Sequence, residues 1–364
     1  MDISNLSQID SPSLLILKDK LEGNIAEMIK ISGNVERLMP HIKTNKMENV
    51  VRFMISKGIK QFKSATIAEA ELAAIARAER VLIAHQLVGP KIDRLIALIE
   101  KYPNTTFSSL VDCTDVVNET SEKFSRKKLM ANVYYDINNG MDRSGHEVNA
   151  ALKSALTIAS KKQNIDLKGL HIYDGHVRDD AFSDRKEKIE QGLKEVLKIV
   201  SDLKTEIGDL EIIAGGTPAF TSHATEINRT LSPCTCVLWD WGYGDKFAEQ
   251  NFEYAALVMM RIISKPKTGV LTVDMGHKAV ASENPIENRI RFLNHDDLKL
   301  VSQSEEHGVI ETQNWDKHKV GDIILGVPYH VCPTVNLYDE AHIISDGKWI
   351  DTWKIEGRKR KITI

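Results

Sequence analysis

The sequence lacks the features that would place the protein in a membrane, on a nucleic acid or in an oxidising compartment. Its 364 residues include only four cysteines, too few for a disulfide framework, so we expect a reducing, cytoplasmic location. No apolar run approaches the roughly 18 residues of a membrane span, and the opening MDISNLSQID has neither region of a signal peptide. The 48 basic and 51 acidic side chains nearly balance, which argues against a nucleic-acid surface. We expect neither a membrane nor a nucleic-acid partner.

What the sequence does have is a regular alternation of short apolar segments and longer amphipathic ones. SLLILK (13–18) is predicted to be the first barrel strand, and TIAEAELAAIARAE a helix capped by Thr66. About eight such units in roughly 230 residues favour an α/β fold, a closed (β/α)8 TIM barrel. Short strands and turns follow. The predicted domains are a barrel over 12–240 and a mainly β domain over 241–364. Residues 1–11 are assigned to the β domain.

The segment MPHIKTNK (39–46) places Lys43 where a predicted barrel segment ends and the next helix begins. Barrel enzymes keep their chemistry at the C-terminal ends of the strands. Apolar Leu38 and Ile42 would desolvate the amine and lower its pKa, which favours Schiff-base chemistry. The alternative is a surface residue, which is the more common place for a lysine when this segment is considered alone.

A glycine pair follows a predicted strand in IIAGGTPAF (212–220). Gly215 and Gly216 would let backbone N–H groups approach an anion, and Thr217 would add a hydroxyl. Barrels often build a phosphate site from the loops after their last strands. The segment therefore predicts a phosphate site, with a simple turn as the alternative.

Two metal-ligand residue types are separated by one position in VPYHVCPTVN (327–336). On an extended strand His330 and Cys332 would point to the same side, and histidine and cysteine are preferred zinc ligands. Two ligands leave room for water or substrate. The alternative is a buried cysteine beside a hydrogen-bonded histidine. Cys234 and Cys236 in PCTC favour packing instead, because no histidine is near them in sequence.

Two further segments carry anion-binding or aromatic groups at predicted strand ends. DINNGMDRSG (136–145) presents Arg143, whose guanidinium suits a phenolate or a carboxylate. GLHIYDGH (169–176) alternates, so that His171 and Tyr173 share one face. Neither segment decides a function by itself.

The order of these motifs resembles a known family. PHIKT, DINNGMDRSG, GLHIYDGH, AGGTP, SEEHG and PYHVCPTVN follow one another as in the D-threonine aldolase and D-serine dehydratase family, which are fold type III pyridoxal 5'-phosphate (PLP) enzymes of the alanine racemase-like fold. The similarity runs from about Ser11 to Arg358. It implies an N-terminal (β/α)8 barrel, a C-terminal β domain and a homodimer.

The resemblance also implies roles for individual residues. Lys43 would be the catalytic residue that binds PLP covalently, with His41 beside it. Further PLP contacts are implied for Arg143, His171, Tyr173, Gly215, Gly216, Thr217, Cys234 and Thr235. His330 and Cys332 would bind a divalent metal, zinc or manganese.

The implied activity is that of a PLP- and metal-dependent lyase acting on a D-configured β-hydroxy amino acid. Cys332 stands where the aldolase branch has aspartate, which favours a D-serine/D-threonine-type dehydratase over a D-threonine aldolase. A metal-free racemase and a non-catalytic PLP-binding protein are further alternatives. The chain departs from the family's pattern at Asn45, His171, Arg178, Ser232 and Cys234.

Overall fold

The computed structural model describes residues 3–364, and this part of the chain divides into two compact units. The barrel unit comprises Ile29–Lys43, Glu48–Cys234 and Lys359–Ile364. The strand unit comprises the described chain up to Met28, Thr44–Met47 and Thr235–Arg358. Within residues 3–364 no helix combines the length and the apolar character needed to span a membrane.

The strands, in chain order, are β1 Ser13–Leu17, β2 Gln61–Ser64, β3 Arg80–Gln86, β4 Thr106–Val111, β5 Ala131–Asn138, β6 His146–Glu147, β7 Ile165–Ile172, β8 Glu211–Ala214, β9 Arg229–Leu231, β10 Ala256–Lys267, β11 Val270–Val273, β12 Ile290–Phe292, β13 Lys299–Gln303, β14 Gly308–Glu311, β15 Ile323–Pro328, β16 Glu340–Ser345 and β17 Lys348–Lys354. The α-helices are α1 Lys18–Ser32, α2 Glu48–Ser56, α3 Ile67–Ile75, α4 Pro90–Lys101, α5 Thr114–Arg126, α6 Ala150–Ser160, α7 Phe182–Ile207, α8 Phe220–Ala224, α9 Trp241–Gly244 and α10 Val331–Val335.

Local sequence signals explain where the helices of the barrel unit begin. Thr66 caps α3, because its hydroxyl accepts a hydrogen bond from the N–H of Glu69 at 3.1 Å. The carboxylate of Glu69 accepts in turn from the N–H of Ala65 at 2.6 Å. The Thr66 bond is the N-cap half of the predicted capping box, while Glu69 bonds the N–H one residue before the N-cap instead of that of Thr66 itself.

The barrel unit contains one parallel sheet in the order β2-β3-β4-β5-β7-β8-β9, with the short β6 added beside β5. Residues 38–42 close this sheet, although Pro40 prevents a regular strand because it has no N–H to donate. The N–H of Met39 donates to Leu231 O at 2.8 Å, and the N–H of Ile42 donates to Lys63 O at 2.9 Å. Eight segments thus surround one interior. The predicted α/β fold, a (β/α)8-type barrel with a mainly β domain in the C-terminal part of the chain, is confirmed.

The strand unit is built on a second sheet, in the order β13-β14-β11-β10-β1-β16-β17, with β15 pairing β10 and β12. Its strand β1 is the SLLILK segment that the sequence assigned to the barrel, and that assignment is wrong. β1 pairs antiparallel with β10 (Ser13↔Met259) and parallel with β16 (Leu15↔His342). All five residues of β1 are buried, and because successive side chains point to opposite faces, both faces of this strand are covered. The structure therefore divides the chain differently from the predicted boundaries at residues 12 and 240.

Replacing Gly169 with alanine is expected to destabilise the barrel unit by about 3 kcal/mol. A Cβ at this position of β7 would lie 2.0 Å from the carbonyl oxygen of Glu211 on β8, and backbone cannot yield as a side chain can. The control is Gly192→Ala in α7, where the nearest atom would be 3.9 Å away and alanine favours the helix. Urea unfolding of both variants checks this. Equal midpoints would contradict the account of β7–β8 packing.

Candidate active site

Lys43 lies at the C-terminal end of the segment that closes the barrel, as predicted. His41 anchors this segment, because its N–H donates to the carbonyl oxygen of Pro233 at 2.7 Å. The ring Nδ1 of His41 accepts a weak hydrogen bond from the N–H of Lys43 at 3.4 Å. His41 is buried and the Lys43 side chain is half-buried, so the amine starts from a fixed backbone at the end of the barrel.

Three more of the predicted residues meet beside β7. His171 is buried on this strand, and Tyr173 lies just beyond its last residue. The guanidinium carbon of Arg143 lies 4.6 Å from the centroid of the Tyr173 ring. An arginine over an aromatic face is attracted by the ring while its N–H donors stay available to an anion. The structure therefore brings Arg143 and Tyr173 into one contact, with His171 two positions away.

The predicted glycine loop forms a narrow cradle. Gly215 has a φ of +79°, a conformation that favours glycine, and its N–H donates to Ile172 O at 2.9 Å. A Cβ at Gly216 would lie 2.6 Å from Cε2 of Tyr173. The hydroxyl of Thr217 accepts from the N–H of Cys234 at 3.1 Å. The loop thus packs against Tyr173 because its glycines have no side chains.

A buried ionic network, which the sequence reasoning missed, supports this cradle. The ring Nε2 of His223 lies 2.5 Å from a carboxylate oxygen of Asp174, and both side chains are completely buried. Arg229 donates to the other ring nitrogen of His223 at 3.1 Å and pairs with Glu190. A Cβ on Gly215 would lie 2.7 Å from the His223 ring. A strand-end aspartate in HIYDG was the available sequence signal.

The barrel interior also holds a lysine that the sequence reasoning missed. Lys63 on β2 is 2% exposed, and its Nζ lies 3.4 Å from Nε2 of His171. Nδ1 of His171 is 2.7 Å from a carboxylate oxygen of Asp136. Burial lowers the pKa of Lys63 to about 7, an effect that nearby Lys43 and Arg143 reinforce. The signal was a lysine inside KQFKSA, because the four residues of strand β2 within this segment are all buried.

The predicted metal pair lies in the strand unit, and its local structure differs from the prediction. His330 is the N-cap of helix α10, and Cys332 lies in the first turn of that helix rather than on a strand. Pro333 suits a first helical turn, where a missing N–H costs nothing. The hydroxyl of Thr334 donates back to His330 O at 2.9 Å. The two side chains are close because the chain turns there, and not because a strand alternates.

The ring of His330 is oriented by a carboxylate. Nδ1 of His330 lies 2.6 Å from Glu283, which leaves Nε2 for another partner. Burial alone would lower the pKa of His330, but the hydrogen bond and charge of Cys332, with Asp240 and Glu283, raise it to about 9. A metal bound by His330 would take the place of a proton on this ring.

The sulfur of Cys332 has two hydroxyl neighbours. The hydroxyl of Thr44 lies 3.1 Å from Sγ and that of Thr235 lies 3.5 Å from it. Thr235, which was predicted to contact PLP, thus contacts Cys332 of the metal pair. Thr44 is bonded in the chain to Lys43.

The donor set fits a metal that also takes ligands from outside the protein. One imidazole nitrogen and one thiolate are preferred zinc donors. Residues 3–364 contain no group of three or more His, Cys, Asp and Glu side chains arranged to hold an ion. The protein would therefore supply two ligands, and water or substrate the others.

Comparisons with known proteins agree with this geometry. The family model described as "Alanine racemase, N-terminal domain" matches residues 16–231, and that described as "Putative serine dehydratase domain" matches residues 255–344. A 3-hydroxy-D-aspartate aldolase of Paracoccus denitrificans (strain Pd 1222) is 28% identical over 97% of this chain and 93% of its own. A D-threonine aldolase of Arthrobacter sp is 22% identical over 97% and 94%.

Solved structures share the fold over nearly the whole chain. The D-threonine aldolase from Filomicrobium marinum has a TM-score of 0.88 at 24% identity, covering 97% of both chains. The D-threo-3-hydroxyaspartate dehydratase from Delftia sp. HT23 has a TM-score of 0.82 at 19% identity, covering 97% of this chain and 99% of the other. Since the racemase-type model matches more than half of the residues, the chain belongs to the alanine racemase N-terminal domain family, the fold type III PLP enzymes, as the motif order predicted.

Proposed function

We propose that this protein is a PLP- and divalent-metal-dependent lyase that eliminates water from a small D-configured β-hydroxy amino acid. The observation that carries the proposal is the His330–Cys332 pair, whose histidine ring is oriented by Glu283. Neither racemisation nor simple cofactor storage needs a nitrogen–sulfur donor pair. The curated relatives that span the chain are aldolases named for D-configured β-hydroxy amino acids, which supports a lyase of this substrate class.

The barrel residues fit PLP. Lys43 would bind it covalently, the loop of Gly215, Gly216 and Thr217 would hold its phosphate, and Arg143 on the Tyr173 ring would face an anionic group. A Cβ on Gly216 would lie 2.6 Å from the Tyr173 ring, so glycine at this position lets the loop backbone pack against that ring. His41, His171, Cys234 and Thr235 complete the proposed set.

When bound, PLP would supply an electron sink and the metal a Lewis acid for the leaving hydroxyl. The amine of Lys43, once released by substrate, takes the proton from Cα as the general base. His330 and Cys332 would hold the metal. The hydroxyl of Thr44, the residue that follows Lys43 in the sequence, contacts the sulfur of Cys332. Loss of the Cα proton and the β-hydroxyl as water leaves an unsaturated amine, which hydrolyses to a keto acid and ammonia.

Aldol cleavage is the second candidate, because the curated relatives that cover 97% of the chain are aldolases. Dehydration is favoured by Cys332, where the sequence resembles the dehydratase branch. A solved dehydratase of the same fold, a cysteine variant, is described as being in the metal-free form, which supports a metal role in that protein. Zinc suits a nitrogen–sulfur pair better than manganese does.

A racemase is disfavoured by Ser232, which stands where the racemases carry an arginine. Ser232 is 2% exposed, and its hydroxyl donates to the carbonyl oxygen of Met39 at 2.9 Å. It therefore serves the closure of the barrel. A homodimer and a cytoplasmic location stay predictions, for which sedimentation and cell fractionation are the tests.

A product screen tests the proposed function. Purified protein with PLP and zinc is incubated with D-serine, D-threonine and D-threo-3-hydroxyaspartate, each with its L-enantiomer as the control. We expect a keto acid and ammonia from at least one D-substrate. Glycine with an aldehyde would establish aldol cleavage instead. Enantiomer exchange without either product would overturn the lyase proposal.

A further inference from the structure

The barrel contains a lysine for which the proposed steps give no role. Lys63 is 2% exposed, although an ammonium group is strongly hydrated and burial is costly unless it is compensated. Its backbone is fixed on both sides of the side chain, since its N–H donates to Pro40 O and its carbonyl accepts from Ile42 N, each at 2.9 Å. The position of the amine is thus determined by the segment that leads to Lys43.

The contact between Lys63 and His171 lies inside the barrel. Lys63 is on β2 and His171 is on β7, and three strands, β3, β4 and β5, separate them in the sheet. Side chains of strands so far apart can meet only across the enclosed interior. Nζ of Lys63 lies 3.4 Å from Nε2 of His171 and 5.9 Å from the centroid of the Tyr173 ring. The amine therefore lies on the inner face of the barrel sheet, as do the proposed PLP contacts His171 and Tyr173.

The hydrogen-bond pattern fixes where the protons are. The carboxylate of Asp136 accepts from Nδ1 of His171 at 2.7 Å and from the hydroxyl of Ser144 at 3.0 Å. With its proton on Nδ1, the imidazole presents a lone pair at Nε2, and Lys63 donates to it. Lys63, His171 and Asp136 thus form a relay in which the ring can accept the lysine's proton while the carboxylate stabilises the imidazolium.

Burial, together with the surrounding charges, brings the pKa of Lys63 close to neutral pH. The groups that act on Lys63 are Lys43, Asp136, Arg143, His171 and Cys234, with the Tyr173 ring nearby. Burial, partly opposed by Cys234, lowers the pKa of Lys63, and burial with the charge of Lys63 lowers that of His171. Burial would raise the pKa of Asp136, but its bonds from His171 and Ser144 keep it low, so it remains an anion.

We propose that Lys63 is the general acid of the lyase reaction and that it regains its proton through His171 and Asp136. This inference rests on the proposed function. Elimination removes one proton from Cα and delivers another to the β-oxygen, and Lys43 accounts for the first only. In the delivery step a Lys63 N–H bond breaks and an O–H bond forms. The Cβ–O bond breaks with its electron pair on oxygen, and water leaves. Lys63 then regains a proton from solvent by way of His171. In aldol cleavage the same amine would protonate Cα.

Three variants separate proton delivery from charge and from packing. Lys63→Met removes the amine and keeps the length, and Lys63→Arg keeps a charge that cannot be released as a proton. Lys60→Met is the control, because Lys60 is exposed and pairs with Glu79 on the surface. Circular dichroism and the visible band of bound PLP first establish that each variant folds and loads its cofactor.

The kinetic result expected is a kcat lowered by about 10²- to 10³-fold in both Lys63 variants, with KM changed little. Wild-type kcat should fall as the pH rises, because the protonated amine is the active form. Since the pKa of Lys63 is lowered, this falling limb of the kcat–pH profile should lie below the pH at which an ordinary lysine titrates. Both variants should lose the limb. Wild-type turnover in Lys63→Arg would show that only charge matters, and would overturn the proposal.

The NMR titration of the His171 ring in cofactor-free protein supplies a readout that does not depend on activity. In Lys63→Met the midpoint of His171 should rise, because a neighbouring cation no longer opposes its protonation, and Lys60→Met should leave it unchanged. An unchanged midpoint in Lys63→Met would refute the relay. Absence of PLP binding or turnover in wild type is a different failure, that of the proposed function, and the titration distinguishes the two.

Discussion

The substitution Lys43→Ala is expected to lower lyase turnover by on the order of 10⁴-fold. It should also abolish the visible absorbance band of bound PLP. The variant loses two functions at once, covalent attachment of the cofactor and the general base for the Cα proton. The backbone next to Lys43 is fixed, because the N–H of His41 donates a hydrogen bond to the carbonyl oxygen of Pro233 at 2.7 Å. A neighbouring lysine therefore cannot take the place of Lys43 by a small shift of the chain. Absorbance and product formation, measured on the same samples, check this.

The matched control is Lys46→Ala, three residues further along the same segment. Lys46 has a φ of +55°, and its carbonyl accepts from the N–H of Gly357 at 3.0 Å. Lysine and alanine both carry a Cβ, so this substitution adds no backbone strain. We expect this variant to keep the band and the turnover. The assignment of Lys43 fails if the band persists in Lys43→Ala and disappears in Lys46→Ala.

The second large effect is expected for the metal pair. His330→Ala should lower kcat by about 10²- to 10³-fold, because a Lewis acid at the leaving oxygen contributes several kcal/mol to the transition state. The PLP band should be unaffected, since no proposed barrel contact to the cofactor is altered. Chelation of the wild-type enzyme should reproduce the loss, and added zinc should restore wild type but not the variant.

Two further variants calibrate the metal result. Glu283→Gln should have a smaller effect, about 10-fold, because it weakens the orientation of the ring and keeps both ligands. His307→Ala changes an exposed histidine in SEEHG and should leave kcat unchanged. Activity that survives both chelation and His330→Ala would show that the reaction needs no metal.

Much of the fold follows from the sequence, because periodicity reports burial. Alternating strands and amphipathic helices predicted the barrel, and a capping box predicted the start of α3. The error at β1 has a physical reason. SLLIL is apolar throughout apart from Ser13, so its pattern shows burial on both faces without showing which sheet provides the neighbours. Only the pairing with β10 and β16 decides this.

The candidate site residues that the sequence singled out were those at the ends of predicted strands, and their roles stay predictions. Lys43 and the glycines at 215 and 216 stood at strand ends, where barrels keep their chemistry. Lys63 was missed because a lysine inside a strand is interpretable only after the sheet closes and places His171 opposite it. The geometry of His330 and Cys332 was misjudged because spacing alone does not distinguish a strand from a helix start, although Pro333 was a signal for the latter.

The most direct test of the central claim is to map the lysine that carries the cofactor. The protein is loaded with PLP and reduced with borohydride, which fixes the cofactor to its amine, and the digest is sequenced by mass spectrometry. The account predicts a single modified peptide, labelled at Lys43 and nowhere else in MPHIKTNK. A label on Lys63 or Lys46 instead, or no label at all, would contradict it.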